Sequence, residues 1–189
     1  MVGNGLKPFP GLSMRHEIEE LAKGWQGTCG IGSIPENLGD ARKAVKEAID
    51  YTGAKVINDA GCGDTQWVVE IEGYQGYDFF KWVEGVIELD YTAEKMRPCD
   101  LILCRFSLIH LPSDNVISAL NLFKETADYL LASNYPRTKA QPPYSIHGTQ
   151  WNLTNEPFSL GQPIRRWNDY KSDLALWQLR DTHNGLFKP

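Results

Sequence analysis

The segment VINDAGCGDTQWV, Val56 to Val68, decides the fold. It opens as an apolar strand and breaks into Gly61-Cys62-Gly63, with the carboxylate of Asp59 inside the run. A strand that ends in Gly-x-Gly can turn sharply, and a ligand can lie against its main chain with no Cβ atoms in the way. In open α/β sheets, ligands bind beyond the carboxyl ends of the strands. The dinucleotide fingerprint needs a third glycine, and here Asp64 is followed by Thr65, Gln66 and Trp67. A nicotinamide-dependent oxidoreductase is set aside on that ground. Asp59 and Asp64 beside the turn repel a pyrophosphate and tolerate a ligand with an amino group and a positive charge. S-adenosylmethionine, a sulfonium with an α-amino group, has that character. Cys62 reads as a small residue offering its backbone, not as a nucleophile.

Working outward, strands and helices alternate. Upstream, Ala41, Ala44, Val45, Ala48 and Ile49 form one stripe at helical spacing, closed by Thr52-Gly53. Strands are expected at 55–60, 74–80, 86–92 and 101–105, and a fifth over 128–136. A helix opens at Pro112-Ser113 with Ser113 as its N-cap, and carries Val116, Leu120, Phe123 and Ala127 on one stripe. The end, PIRRWNDYKSDLALWQLRD, reads as two strands joined by a turn at 168–172. Arg165 and Arg166 then point to opposite faces and make no basic patch. Together these elements imply an α/β fold: a mostly parallel sheet with an antiparallel C-terminal strand and helices on both faces. Only seven residues separate Asp78 from Val86, too few for the usual crossover helix. The helix between strands 2 and 3 is therefore expected to be missing. Either the third strand pairs antiparallel or it lies outside its usual place, and an Asp90 role there is weakened accordingly.

The 189 residues suit one domain over 1–189. Within it, 1–26 read as an arm (loose to residue 13) and a short helix over 14–23, 27–37 as a glycine-rich loop, and 137–163 as a long loop expected to cover the site. The net charge of -5 offers no general attraction to a phosphate backbone. Cys29, Cys62, Cys99 and Cys104 show no CxxC spacing, so no metal site is expected and all four read as reduced thiols of a cytoplasmic protein. No run has the length of a membrane span, and the first residues lack the apolar core of a signal peptide.

Three acids, Asp59, Asp78 and Asp90, close successive strands at one edge. Asp78 is placed to accept from ribose hydroxyls, and Asp90 from an adenine amino group. The structural alternatives are Asp59 holding the turn through backbone amides and Asp78 and Asp90 as solvated strand ends.

The chain resembles the class I S-adenosylmethionine-dependent methyltransferases, which have a Rossmann-like sheet. VINDAGCGD resembles the family's first motif, YQGYDFF its second-strand motif and CDLILCRFSLIHLP its fourth-strand motif. A narrower likeness, to a small bacterial and phage subgroup, rests on Gly30-Ile31-Gly32-Ser33, on Cys62-Gly63-Asp64 with Trp67, and on Trp151-Asn152-Leu153 with Pro157-Phe158-Ser159-Leu160. It covers about residues 27 to 180. The resemblance implies that Gly61, Cys62 and Gly63 pass the methionine moiety, with Asp59 or Asp64 near its amino group. Asp78, beside Phe79, holds the ribose; Asp90 and the Tyr91 amide read adenine. Arg105 meets the methionine carboxylate or the acceptor, and Trp67 packs either on the cofactor or in the core.

His110 is the candidate general base, with a structural histidine bonded to a carbonyl as the alternative. His147 and Trp151 belong to the covering loop, as parts of a lid. Ser133 to Pro136 echoes an amino-methylation signature, but it ends the fifth strand and not the fourth. The acceptor reads first as a small molecule, with nucleic acid or protein as the alternative. The competing function is a trimmed fold that binds the cofactor or a protein partner without catalysis.

Overall fold

The computed structural model describes residues 11–24, 29, 30, 32, 34–38, 40–68 and 70–180. Most of the expected arm, Gly27, Thr28, and Ile31 and Ser33 of the glycine-rich loop lie outside the described residues. Helix α1 spans Gly11–Lys23, so it begins before the helix expected from the sequence. Helix α2, Ala41–Thr52, buries Ala41, Ala44, Val45 and Ala48, and ends on Gly53 in the left-handed region (φ 68°). Those small side chains let it lie close on the sheet.

Seven strands form one sheet: β1 Ile57–Ala60, β2 Tyr74–Asp78, β3 Ile87–Glu88, β4 Cys99–Cys104, β5 Ala127–Asn134, β6 Arg165–Asp169 and β7 Ser172–Gln178. Their order is β3-β2-β1-β4-β5-β7-β6. All neighbours pair parallel from β3 to β5, and β7 runs antiparallel to both β5 and β6. Being antiparallel to β7, β6 runs in the same sense as β5. The carboxyl ends of β1, β2, β4, β5 and β6 therefore all meet one edge.

Alternation along the strands splits the core. Leu101, Leu103, Leu131, Leu174 and Leu176 face α2, whereas Ile102, Cys104, Leu130, Ala132, Ala175 and Trp177 face α3 and Ile18 of α1. Helix α3 spans Ser113–Thr126 and buries Val116, Ala119, Leu120 and Phe123. Its N-cap is Pro112, one residue before the expected Ser113: the Pro112 carbonyl accepts the first helical bond, from Val116 N at 3.0 Å. The expected stripe is kept except that Ala127 already begins β5. No helix or strand occupies 135–164, in agreement with the expected long loop.

The third strand corrects the sequence reading. β3 pairs parallel with β2, Tyr77 opposite Ile87 and Asp78 opposite Glu88, with no helix between them. A long crossover is needed to return the chain along a full strand. β3 is only two residues long, so the return is about one strand step and residues 79–86 suffice.

Candidate functional site

The sharp turn after β1 is assembled from backbone bonds. Gly61 N and Cys62 N both donate to the Tyr77 carbonyl of β2, at 2.8 and 3.2 Å. Gly61 and Gly63 hold φ of 74° and 57°, which glycine adopts without strain. Both are also closely approached. A Cβ on Gly61 would lie 1.9 Å from Ser107 Oγ, and one on Gly63 would lie 2.7 Å from Cys29 Cβ. The glycines thus let the segments after β4 and before α2 close down on the turn.

Around this turn lies a cavity of about 320 Å³, within the range of small-molecule sites. Of the residues named from the sequence, Gly61, Cys62, Gly63, Trp67, Asp78, Phe79, Tyr91, Arg105, His110 and His147 line it. Asp59, Asp64, Asp90 and Trp151 do not.

Asp78 is the acid brought to the cavity. Its carboxylate accepts from Gly63 N at 2.9 Å on Oδ2 and from Phe80 N at 3.3 Å on Oδ1, and the Trp82 side chain and the Phe79 amide also bond to it. Burial pushes its pKa up, and the bonds from Gly63, Trp82, Phe80 and Phe79 pull it back. Beside it, the Phe79 and Tyr91 rings stack with centroids 4.8 Å apart, and the Tyr91 hydroxyl hydrogen-bonds Ser107. That spacing leaves no room for a further ring between them, and Trp82 also lines the cavity.

Asp59 serves the structure. It is fully buried on the same strand face as Ile57, and Tyr74 Oη donates to its Oδ2 at 2.9 Å. Its Oδ1 has no hydrogen-bond partner. Burial pushes its pKa up to about 7, against the opposing bond from Tyr74. Asp64 Oδ1 accepts from Gln66 N at 3.1 Å, holding the loop after the glycines. Asp90 Oδ1 accepts from Thr92 N at 2.9 Å and Thr92 Oγ1 at 2.6 Å, closing the turn after β3.

Arg105 is buried and already engaged. Its Nε and one terminal nitrogen donate to Asp169 at 2.8 and 2.9 Å, and it also donates to the Gly32 carbonyl at 2.7 Å and the Asn37 carbonyl at 3.0 Å. The guanidinium lies 4.5 Å from the Phe106 ring centroid and 5.6 Å from that of Trp67. It joins the glycine-rich segment, the end of β4 and the end of β6. Trp67 is at once core and cavity wall.

His110 Nδ1 lies 2.8 Å from the Ile146 carbonyl, which can only accept, so Nδ1 carries the proton and the neutral ring has its lone pair on Nε2. Burial lowers its pKa, which favours the neutral ring. The covering loop is pinned by Trp151, whose Nε1 donates to the Leu108 and Leu111 carbonyls at 3.1 and 3.2 Å. Trp151 is thus an anchor, while His147, Gly148 and Gln150 reach the cavity. Asn134 Oδ1 accepts from Leu153 N at 2.8 Å, another internal tie.

Sequence reasoning missed Trp82, Phe106, Tyr135, Tyr170 and Lys171, all lining residues. Tyr135 follows β5, and Tyr170-Lys171 follow β6, so the carboxyl-end rule finds them once the strand senses are known.

No family model and no curated sequence matches the chain. Solved structures do. Magnesium protoporphyrin IX methyltransferase (ChlM) from Synechocystis PCC 6803, with bound SAH, matches at TM-score 0.56 and 16% identity, over 74% of this chain and 82% of that one. TehB from Haemophilus influenzae matches at TM-score 0.55 and 14% identity, over 72% of this chain and 61% of that one. The mitomycin 7-O-methyltransferase MmcR matches at TM-score 0.51 and 13% identity, over 74% of this chain and 54% of that one. The chain spans about half to four-fifths of these neighbours' lengths. In strand order and in these likenesses, it has the Rossmann-like fold of the S-adenosylmethionine-dependent methyltransferases.

Proposed function

We propose that this chain is an S-adenosylmethionine-dependent methyltransferase acting on a small-molecule acceptor. The observation that carries the reading is the convergence, in one cavity at the carboxyl edge of the sheet, of the Gly61–Gly63 turn, Asp78 and the Phe79, Trp82 and Tyr91 rings. Bound S-adenosylmethionine supplies an electrophilic methyl group on a positively charged sulfur. Residues of this chain fit that molecule. The close-packed glycine turn leaves backbone to meet its amino-acid end. Asp78 presents its carboxylate in the cavity toward the ribose hydroxyls, and the aromatic surface suits the adenine. The cavity walls align acceptor and methyl and exclude water, which is the larger part of catalysis for an in-line displacement. His110 takes the acceptor's proton on Nε2 where the acceptor must lose one. The four cysteines form no disulfide, in keeping with a cytoplasmic protein. The likeness to a bacterial and phage subgroup rests on sequence motifs alone.

The two-residue β3 and its missing crossover helix favour one rival, a trimmed fold that binds without transferring. Thermal shift with S-adenosylmethionine, S-adenosylhomocysteine and NAD tests the cofactor. A rise in Tm with the two adenosyl ligands only is expected, and no rise with either rejects the reading. Radiolabelled methyl transfer to an acceptor panel then separates enzyme from binder.

A further inference from the structure

Charge is distributed unevenly along the cavity. At one end, beyond β2 and β3, stands Asp78. At the other, beyond β5 and in the β6–β7 turn, stand Tyr135, Tyr170 and Lys171. β2 and β7 are four positions apart in the sheet, on the order of 15–20 Å at about 4.8 Å per strand. The far end has no acid among the described lining residues, and the neighbouring Asp169 is bound by Arg105. Its cation is Lys171, which makes no ion pair among the described residues and lies 4.9 Å from the Tyr170 ring centroid. The walls there are the Phe106, Tyr135 and Tyr170 rings, with the Gln150 amide.

A second observation concerns the backbone. Tyr170-Lys171 is a two-residue hairpin loop, and Lys171 holds φ 57°. Glycine or asparagine suits that conformation, and a lysine there is strained. Strain of this kind collects at functional sites, where the side chain is used.

We propose that the β5–β6 end of the cavity is the acceptor subsite and that it takes a small aromatic molecule bearing an anionic group, with Lys171 as the specificity-determining residue. This rests on the methyltransferase reading only for the word acceptor. The rings sandwich the aromatic body, and Lys171 selects the negative charge while Tyr135 and Gln150 offer hydrogen-bond donors.

The test is calorimetric titration of the full chain with 4-hydroxybenzoate, 4-hydroxybenzamide and 4-hydroxybenzylamine, with and without S-adenosylhomocysteine. These probes share a ring and a hydroxyl and carry charges of about -1, 0 and +1. The benzoate is expected to bind about threefold to fivefold more tightly than the amide, the scale of one exposed charge pair, and the amine most weakly. Lys171→Gly is expected to abolish that order while holding or raising Tm, since glycine relieves the strained φ. A purely structural lysine predicts the same gain in Tm with the order unchanged. Lys171→Asn, also at ease in that region, repeats the test should the glycine variant lose its hairpin. No binding of any probe, no charge order, or an order that survives Lys171→Gly overturns the proposal. Absence of S-adenosylhomocysteine binding with the charge order intact overturns the methyltransferase reading instead.

Discussion

The Arg105 guanidinium grips the Asp169 carboxylate through two bonds of 2.8 and 2.9 Å, with both side chains almost wholly buried (2% and 0% exposed). The partners are 64 positions apart in sequence, and the pair ties the end of β6 to the residue after β4. Removing one member leaves a buried charge without compensation. Asp169→Ala is expected to cost about 3–5 kcal/mol. Arg105→Met with Asp169→Leu removes both charges and is expected to regain most of that loss. Urea unfolding followed by circular dichroism measures both. Equal losses in the single and double variants would contradict a charge-based cause.

Asp78 is expected to hold the ligand through oxygens already oriented by Gly63 and Phe80. Asp78→Asn keeps the shape and removes the charge. It is expected to weaken S-adenosylhomocysteine by about 10- to 100-fold, the scale of a charged hydrogen bond. Calorimetry on a variant with native circular dichroism checks this, and unchanged affinity removes Asp78 from the site.

Asp59 should make stability depend on pH in an unusual sense. Its folded pKa of about 7 is above the ordinary carboxylate value, so the folded state holds the proton more tightly. Stability therefore falls as pH rises from about 4 to about 7 and is level above that range. Asp59→Asn removes the burden of a buried charge. At pH 8 it is expected to stabilise by about 1–3 kcal/mol, and to flatten this part of the pH profile. Denaturant midpoints across pH 4 to 8, about the window between the two pKa values, decide it.

In the proposed reaction His110 serves proton transfer and not cofactor binding. His110→Gln is expected to reduce kcat by about 10²- to 10⁴-fold for a hydroxyl acceptor, with S-adenosylhomocysteine affinity preserved. Burial lowers the histidine pKa, so the active neutral ring persists at mildly acidic pH. The acid limb of the rate profile is expected below the ordinary histidine value of about 6.5. A limb above it, or one retained in the glutamine variant, would assign the proton transfer elsewhere.

Gly61→Ala tests the packing of the turn. Its Cβ would meet Ser107 Oγ at 1.9 Å from a backbone at φ 74°. A loss of about 2 kcal/mol or more is expected, the combined scale of strain and overpacking. Adding Ser107→Gly should return the packing part only. Thermal unfolding of the two variants reads the difference.

Much of the fold is legible in local pattern. The α2 stripe, the glycine turn after β1, the carboxyl-end acid Asp78 and the C-terminal hairpin each follow from spacing or turn chemistry within a few residues. Local pattern fails where one side chain must choose between neighbours that the chain brings together from far away. Asp59 and Asp78 read alike as acids at strand ends. In the fold, Asp59 is sealed against Tyr74 while Asp78 opens on the cavity. The reading of β3 failed because the rule for crossover length assumes a full strand to traverse, and β3 has two residues.

The sequence by itself determined the alternation of strands and helices, the position of the turn and the kind of ligand such a turn favours. These depend on backbone preference and on periodic burial, both of which act over short stretches of chain. The tertiary structure alone decided which charges are spent and which remain. It consumed Arg105 on Asp169, closed Asp90 on Thr92, and set Asp78 and Lys171 in the wall of one cavity. The physical reason is that a charge's effect is set by its solvation and its nearest partner, and both are properties of the packed molecule.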